Sequence, residues 1–166
     1  MCGICGAIHQ NSAVGENLLR SMNDTLIHRG PDGEGFYTQQ NVGLAMRRLA
    51  IIDVGGSQQP LYNEDKSIAV VFNGEIYNYQ ALRHDLISKG HRFHTDGDGE
   101  TIAHLYEEYG QEFPKYLRGQ FAIALWNSNV QNLFLVRDRY GQKPLYYYHD
   151  EEYFMFASEI KALLKH

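Results

Sequence analysis

The chain has 166 residues, of which 43% are apolar and 21% charged, and carries a net charge of -5. That length suits one domain with a hydrophobic core, and the acidic balance argues against a nucleic-acid partner, which would favour a basic face. No run approaches the roughly 18 apolar residues of a membrane span, and the N-terminus lacks the basic and apolar segments of a signal peptide, so a small ligand and a cytoplasmic setting are expected. The two cysteines, Cys2 and Cys5, cannot build a disulfide framework.

In chain order, Gly3 to Ile8 is short and apolar and predicts a buried strand with Cys2 at its tip. Val14, Leu18, Leu19, Met22 and Leu26 recur at helical spacing behind Ser12 as an N-cap, predicting a helix over 13–27. His28 to Gly33 breaks it. Strands are expected at Phe36 to Thr38, Gly43 to Ile52 and Ile68 to Phe72, separated by Gly55-Gly56 and by Pro60 to Lys66. Asn78 then caps a helix carrying Leu82 and Leu86 that stops at Lys89-Gly90. Asp98 opens another carrying Ile102, Leu105, Tyr106 and Tyr109 before Gly110. Two hairpins follow, Phe121 to Trp126 with Asn132 to Arg137, and Leu145 to Tyr148 with Tyr153 to Ala157, and a last helix starts at Ser158 and runs to Leu164. Strands and helices in blocks indicate an α+β fold with largely antiparallel sheets.

Several residue groups could carry chemistry. A thiol on an N-terminal residue has its own base in the α-amino group, whose reference pKa is about 7.7 to 8.0. Cys2 acquires that arrangement once Met1 is trimmed, although a cysteine at position 2 is also commonplace. Asn73-Gly74 at the end of an apolar strand reads either as a turn or as an oxyanion hole, made by the Asn73 amide and the Gly74 N–H. One such donor is worth about 3 to 4 kcal/mol of transition-state stabilisation. Adjacent Arg47 and Arg48 in a strand must face opposite sides, so one can reach a site and bind a carboxylate in bidentate fashion. Asp98 is either a helix cap or a partner for an ammonium group. Cys2 and Cys5 could also form a redox pair or half a metal site, but no second CxxC completes four ligands. His28, His84 and His104 are expected to be solvated or structural, and no metal ligands are assigned.

Six ordered stretches then carry a family resemblance. They are Met1 to Ile4, His28 to Asp32, Arg48 to Asp53, Asn73 to Asn78, Arg137 to Leu145 and Phe156 to Leu163. The chain resembles the N-terminal glutaminase domain of glutamine-hydrolysing asparagine synthetase, a class II (N-terminal nucleophile, Ntn-hydrolase) glutamine amidotransferase. The likeness spans residues 1–166, as one glutamine amidotransferase type-2 domain. It implies a four-layer αββα sandwich of two antiparallel sheets. It also implies that Cys2 attacks the glutamine side-chain amide and forms a thioester, with Asn73 and Gly74 as the oxyanion hole. Arg48 would hold the substrate carboxylate and Asp98, with Glu75, its ammonium, while the backbone of Arg48, Leu49, Ala50, Ile51 and Ile52 lines the pocket.

The partners implied are L-glutamine and an ammonia-accepting synthetase domain, expected in a longer enzyme of which this chain is an amino-terminal piece. That longer enzyme is compatible with a homodimer. ATP and magnesium are expected only in the synthetase domain, with no cofactor here. Related amidotransferases that modify sugars or other small molecules, or a non-catalytic glutamine-binding domain, are the alternatives. Glycines around Asp98, where the family more often has serine and threonine, predict a looser loop.

Overall fold

The computed structural model describes residues 1–51, 53 and 55–166. Among the described residues there are nine strands and four α-helices, in the expected blocks except for a two-residue strand, Leu61–Tyr62, inside the Pro60 to Lys66 stretch that the sequence reads as a separator. They are β1 (Gly3–His9), α1 (Glu16–Asp24), β2 (Gly33–Gln39), β3 (Val42–Arg48), β4 (Leu61–Tyr62), β5 (Ile68–Ile76), α2 (Tyr79–Ser88), α3 (Glu100–Tyr109), β6 (Gly119–Asn127), β7 (Asn132–Arg137), β8 (Tyr146–His149), β9 (Tyr153–Ala157) and α4 (Ile160–Leu163). A 3-10 helix over Gly110–Tyr116, containing Pro114, was not expected from the sequence. The strands form two wholly antiparallel sheets, ordered β2-β3-β1-β9-β8 and β4-β5-β6-β7.

Three apolar layers show how these pieces stack. Along a strand alternate side chains face opposite sides. In β5 the odd residues Ala69 and Val71 meet Ile4, Leu44 and Phe156 between the sheets, while the even residues Val70 and Phe72 meet Leu86, Ile102 and Leu105 of α2 and α3. On the other side of the five-stranded sheet, Cys5, Ala45 and Met155 pack against Leu19 and Met22 of α1 and Ala162 of α4. Helices therefore cover both outer faces, giving the four-layer αββα order. No helix among the described residues is long and apolar enough to cross a membrane.

The element boundaries differ from expectation in ways that matter. The first helix starts at Glu16 behind Gly15, not at Ser12, whose amide instead donates to His9 Nδ1 at 3.1 Å. It ends at Asp24, yet Leu26 is still fully buried, because the turns that follow continue the apolar face. Strand β3 stops at Arg48 because the next amides go to side chains: Leu49 N–H to Cys2 Sγ at 3.3 Å and Ala50 N–H to Asp32 Oδ2 at 2.9 Å. Asn73-Gly74 is not a turn. β5 runs on to Ile76 because β6 supplies a paired residue for every position, Asn73 opposite Ala122 and Gly74 opposite Phe121. At Gly74 a Cβ would lie 2.1 Å from Gln120 O, so only glycine permits this approach of the two strands. Ser158 does not begin α4; its Oγ accepts the Ile4 amide at 3.0 Å and its own N–H donates to Ile4 O at 2.8 Å.

After β7 the chain folds around one carboxylate. Asp138, buried, accepts backbone N–H groups from Phe121, Tyr140, Gln142 and Lys143 at 3.0 to 3.2 Å. Burial alone would raise its pKa, but these four hydrogen bonds prevail and hold it below the usual carboxylate range. Arg137 closes the same loop by donating to Lys143 O at 2.6 Å and Gly141 O at 2.7 Å. Replacing Asp138 by alanine strands these amides, so Asp138→Ala should lower unfolding free energy by about 2 to 4 kcal/mol. Urea unfolding followed by circular dichroism measures it, and a loss under about 0.5 kcal/mol, the range of an ordinary surface substitution, would contradict the assignment.

Candidate active site

One cleft of about 260 Å³ gathers most of the residues the sequence singled out. Cys2, Arg48, Leu49, Ile51, Asn73, Gly74, Glu75 and Asp98 line it, from four separate stretches of chain. Ala50 is not on its wall, because its amide is turned to Asp32. Ile52 lies outside the described residues. Met1, Ser57, Gln59, Phe72 and Lys143 line the cleft too, and sequence reasoning missed them. Of these, Met1 lies in the Met1 to Ile4 motif and Lys143 in the Arg137 to Leu145 motif.

Cys2 sits just before β1, at the edge of the inter-sheet layer. Its sulfur is held by the Leu49 backbone, accepting the N–H at 3.3 Å and donating to the carbonyl at 3.6 Å. Its carbonyl accepts Arg29 Nε–H at 3.0 Å, and Arg29 is anchored by Glu159 Oε1 at 3.0 Å. Lys143 Nζ stands 3.1 Å from Met1 Sδ at the cleft wall. Cys5 faces the α1 layer and is fully buried, with its thiol pushed far up by desolvation against the opposing charge of Arg47. Its side chain and that of Cys2 point to opposite faces of the sheet, which disposes of a redox pair or shared metal site between them.

The floor is the edge of β5. Val70 pairs with Leu61 of the two-residue strand β4, and beyond that the even residues of β5 have no neighbouring strand on that side among the described residues. Side chains take over. Gln59 acts as a surrogate strand, accepting the Phe72 N–H at 2.7 Å and donating to its carbonyl at 3.1 Å, while Asp98 Oδ2 accepts the Ile76 N–H at 2.8 Å. Strand alternation turns the Gly74 N–H to this same edge, between those two fastenings and into the cleft. The Asn73 side chain is buried and its Nδ2 has no hydrogen-bond partner among the described residues. A buried amide N–H₂ with no acceptor is costly and calls for one.

Arg47 and Arg48 diverge as strand alternation requires. Arg47 turns to Glu34 at 3.0 Å and to Asp24, whereas Arg48 is buried against the cleft and donates to Asp53 O at 2.6 Å. Asp53, at φ 48°, accepts Ser57 Oγ–H at 2.6 Å and the Asp96 N–H at 3.1 Å, tying the Arg48 segment to the loop that carries Asp98. That loop is packed, not loose. A Cβ at Gly97 would meet Ser57 Oγ at 2.1 Å and one at Gly99 the Phe72 ring at 2.2 Å, so the glycines buy close approach. Asp98 does not cap α3; Gly99 holds that position. Burial and then the Glu75 charge push the Asp98 carboxyl above its usual range, against the opposing Ile76 hydrogen bond.

A family described as "Glutamine amidotransferase domain" matches residues 1–166. The chain belongs to that family. It is 44% identical over 168 residues to asparagine synthetase [glutamine-hydrolyzing] 1 of Bacillus subtilis, covering 99% of this chain and 27% of that protein. It is 45% identical over 166 residues to asparagine synthetase [glutamine-hydrolyzing] 3 of Arabidopsis thaliana, covering 98% of this chain and 28% of that one. The chain thus spans little more than a quarter of these curated relatives. Among solved structures, glutamine phosphoribosylpyrophosphate amidotransferase from B. subtilis aligns with a TM-score of 0.79 at 20% identity, over 98% of this chain and 43% of that one. A structure described as the allosteric regulatory enzyme of purine biosynthesis aligns with a TM-score of 0.82 at 20% identity, over 99% of this chain and 43% of that one. Both establish that this amidotransferase domain has the fold expected from the sequence.

The Glu159 anchor behind Cys2 has a defined pH window. Burial raises the Glu159 carboxyl, but hydrogen bonds from Arg29, His28 and Lys161 outweigh it and bring it from an ordinary 4.5 to about 2. Its stabilisation is therefore complete above about 4.5 and disappears as pH falls through about 2. Glu159→Gln should cost about 1 to 2 kcal/mol at neutral pH, with the difference from the parent shrinking across that window. Urea unfolding at a series of pH values checks it, and a difference independent of pH would rule out the charge as its source.

Proposed function

We propose that this chain hydrolyses the side-chain amide of L-glutamine to glutamate and ammonia, with Cys2 as nucleophile. The observation that carries the reading is the convergence on one cleft of the Cys2 sulfur with the unpaired buried Asn73 Nδ2 and the Gly74 N–H. A carboxylate forming an ion pair with the Arg48 guanidinium, and an ammonium between Asp98 and Glu75, would orient glutamine with its amide toward the sulfur. The ammonium would also offset the burial and the Glu75 charge that raise the Asp98 carboxyl. Leu49 and Ile51 would contribute backbone to the same subsite.

The steps use these groups. With Met1 in place the Cys2 nitrogen is a peptide amide, so removal of Met1 is required to make it an amine. That amine takes the thiol proton as sulfur attacks the amide carbon, and the carbonyl π-electron pair moves to oxygen, where Asn73 Nδ2–H and Gly74 N–H stabilise it. Collapse breaks the C–N bond, and the leaving nitrogen takes the proton from the amine to depart as ammonia. Water then adds to the thioester, with the amine accepting its proton, and sulfur leaves as thiol when glutamate is released.

The names of the relatives support placing the use of this ammonia in an asparagine synthetase; an ATP- and magnesium-dependent region of a longer protein belongs to that reading. A cytoplasmic setting and a homodimer of that longer protein belong to the same reading. An amidotransferase with another acceptor is the second reading, favoured by the fold similarity to the phosphoribosylpyrophosphate enzyme.

Glutamate release from glutamine should be abolished in Cys2→Ala. In Asn73→Ala, kcat should fall by about 10² to 10³ with KM changed little, because the oxyanion forms only during reaction. Intact mass should show the loss of one methionine in the active protein. Activity surviving Cys2→Ala would remove the proposed nucleophile.

A further inference from the structure

A second polar cluster lies on the helical side of the four-stranded sheet, and none of its members belongs to the cleft. Glu64 comes from the turn after β4, His91 from the segment just after α2, and His104 and Glu107 from α3, where the i,i+3 spacing puts them on one face. Each offers one nitrogen or oxygen, and these atoms all lie within 4.8 Å of one another.

The nitrogen-to-oxygen distances are near those of a coordination shell, with Glu64 meeting the two histidines through different oxygens. His91 Nδ1 is 3.4 Å from Glu64 Oε1 and 3.6 Å from Glu107 Oε2, and His104 Nδ1 is 3.4 Å from Glu64 Oε2 and 3.2 Å from Glu107 Oε2. Tetrahedral zinc, with bonds of about 2.0 to 2.2 Å to nitrogen and oxygen, has ligand-to-ligand edges of about 3.3 to 3.6 Å. Both imidazoles present the same nitrogen, Nδ1, to the centre; His91 turns its Nε2 to Glu108 Oε1 at 3.2 Å, a hydrogen bond, while His104 Nε2 lies 3.6 Å from Glu100 Oε1 without one. The carboxylates are braced as well, with Glu107 Oε1 accepting Asn63 Nδ2–H at 2.9 Å and Glu64 Oε1 accepting the Arg92 N–H at 2.8 Å. Carboxylates behind metal-binding histidines fix the tautomer and raise ligand basicity.

Charge points the same way. Glu64 and Glu107 face one another across two imidazoles that are uncharged in their ligating form, and His104 is fully buried. We propose that Glu64, His91, His104 and Glu107 form a tetrahedral site for a divalent transition-metal ion, with Zn²⁺ the best match. Four protein ligands leave no open position, so the ion is structural, tying the β4–β5 turn and the end of α2 to α3. Helix α3 begins one residue after Gly99 and two after Asp98, so the same ion steadies the helix behind the cleft.

The test uses the whole chain, stripped with chelator and titrated with Zn²⁺ by calorimetry, and with Co²⁺ as a spectroscopic probe. Replacing His104 would disturb the core, so the variants are His91→Ala and Glu107→Gln, with folding checked by circular dichroism. The expected results are one Zn²⁺ per chain, affinity weakened about ten-fold or more in each variant, and tetrahedral cobalt bands without sulfur-to-metal charge transfer. Zn²⁺ should also raise the unfolding midpoint of the parent more than that of either variant. Absence of saturable binding, affinity unchanged in both variants, or a cobalt spectrum showing thiolate ligation would each overturn the proposal; the last would move the metal to Cys2.

Discussion

The cleft exists because β5 is nine residues long while its outer neighbour β4 is only two. A strand edge that is neither solvated nor paired leaves main-chain donors and acceptors without partners, at a cost of about 1 to 3 kcal/mol for each buried group. Gln59 and Asp98 relieve this at Phe72 and Ile76, on either side of Gly74. What remains between them is an amide facing a cavity. A continued β4 would have consumed the Gly74 N–H in a ladder, and the Asn73 side chain would have had no cleft to border.

Opposite this edge, the Cys2 sulfur is held from several directions by backbone. Pairing of β1 with β3 and β9 fixes the strand, Ser158 fastens Ile4 from the side, and Leu49 holds the sulfur directly. Arg29, with Glu159 behind it, fixes the preceding carbonyl. This framework would give the proposed nucleophile the precision that attack on a bound amide demands.

Helix α3 has two chemical ends. Its N-terminal approach carries Asp98 into the cleft, and its middle carries His104 and Glu107 into the His/Glu cluster, with Glu100 accepting N–H groups from His94 and Thr95 between them. The close contacts of Gly97 and Gly99 press the helix start against Ser57 and Phe72. Displacement of α3 would therefore be felt at the Asp98 carboxylate.

Much of this was legible in the sequence, and the reason is local. Apolar residues at periods of two and about 3.6 set the order of strands and helices and hence the α+β class, and alternation alone sent Arg47 and Arg48 to opposite faces. The six ordered motifs also marked most of the cleft. Tertiary structure decided the rest, because it depends on which chain segments meet. Asn73-Gly74 carries a turn signal in isolation and became strand only because β6 offers an unbroken partner. The role of Gln59 depends on where β4 ends, and the tight Asp98 loop on what its glycines touch. Glu64, His91, His104 and Glu107 have no spacing that predicts a common site, since three separate elements must pack before their ligand atoms come together. Sequence fixes the face each residue presents; packing determines what that face meets.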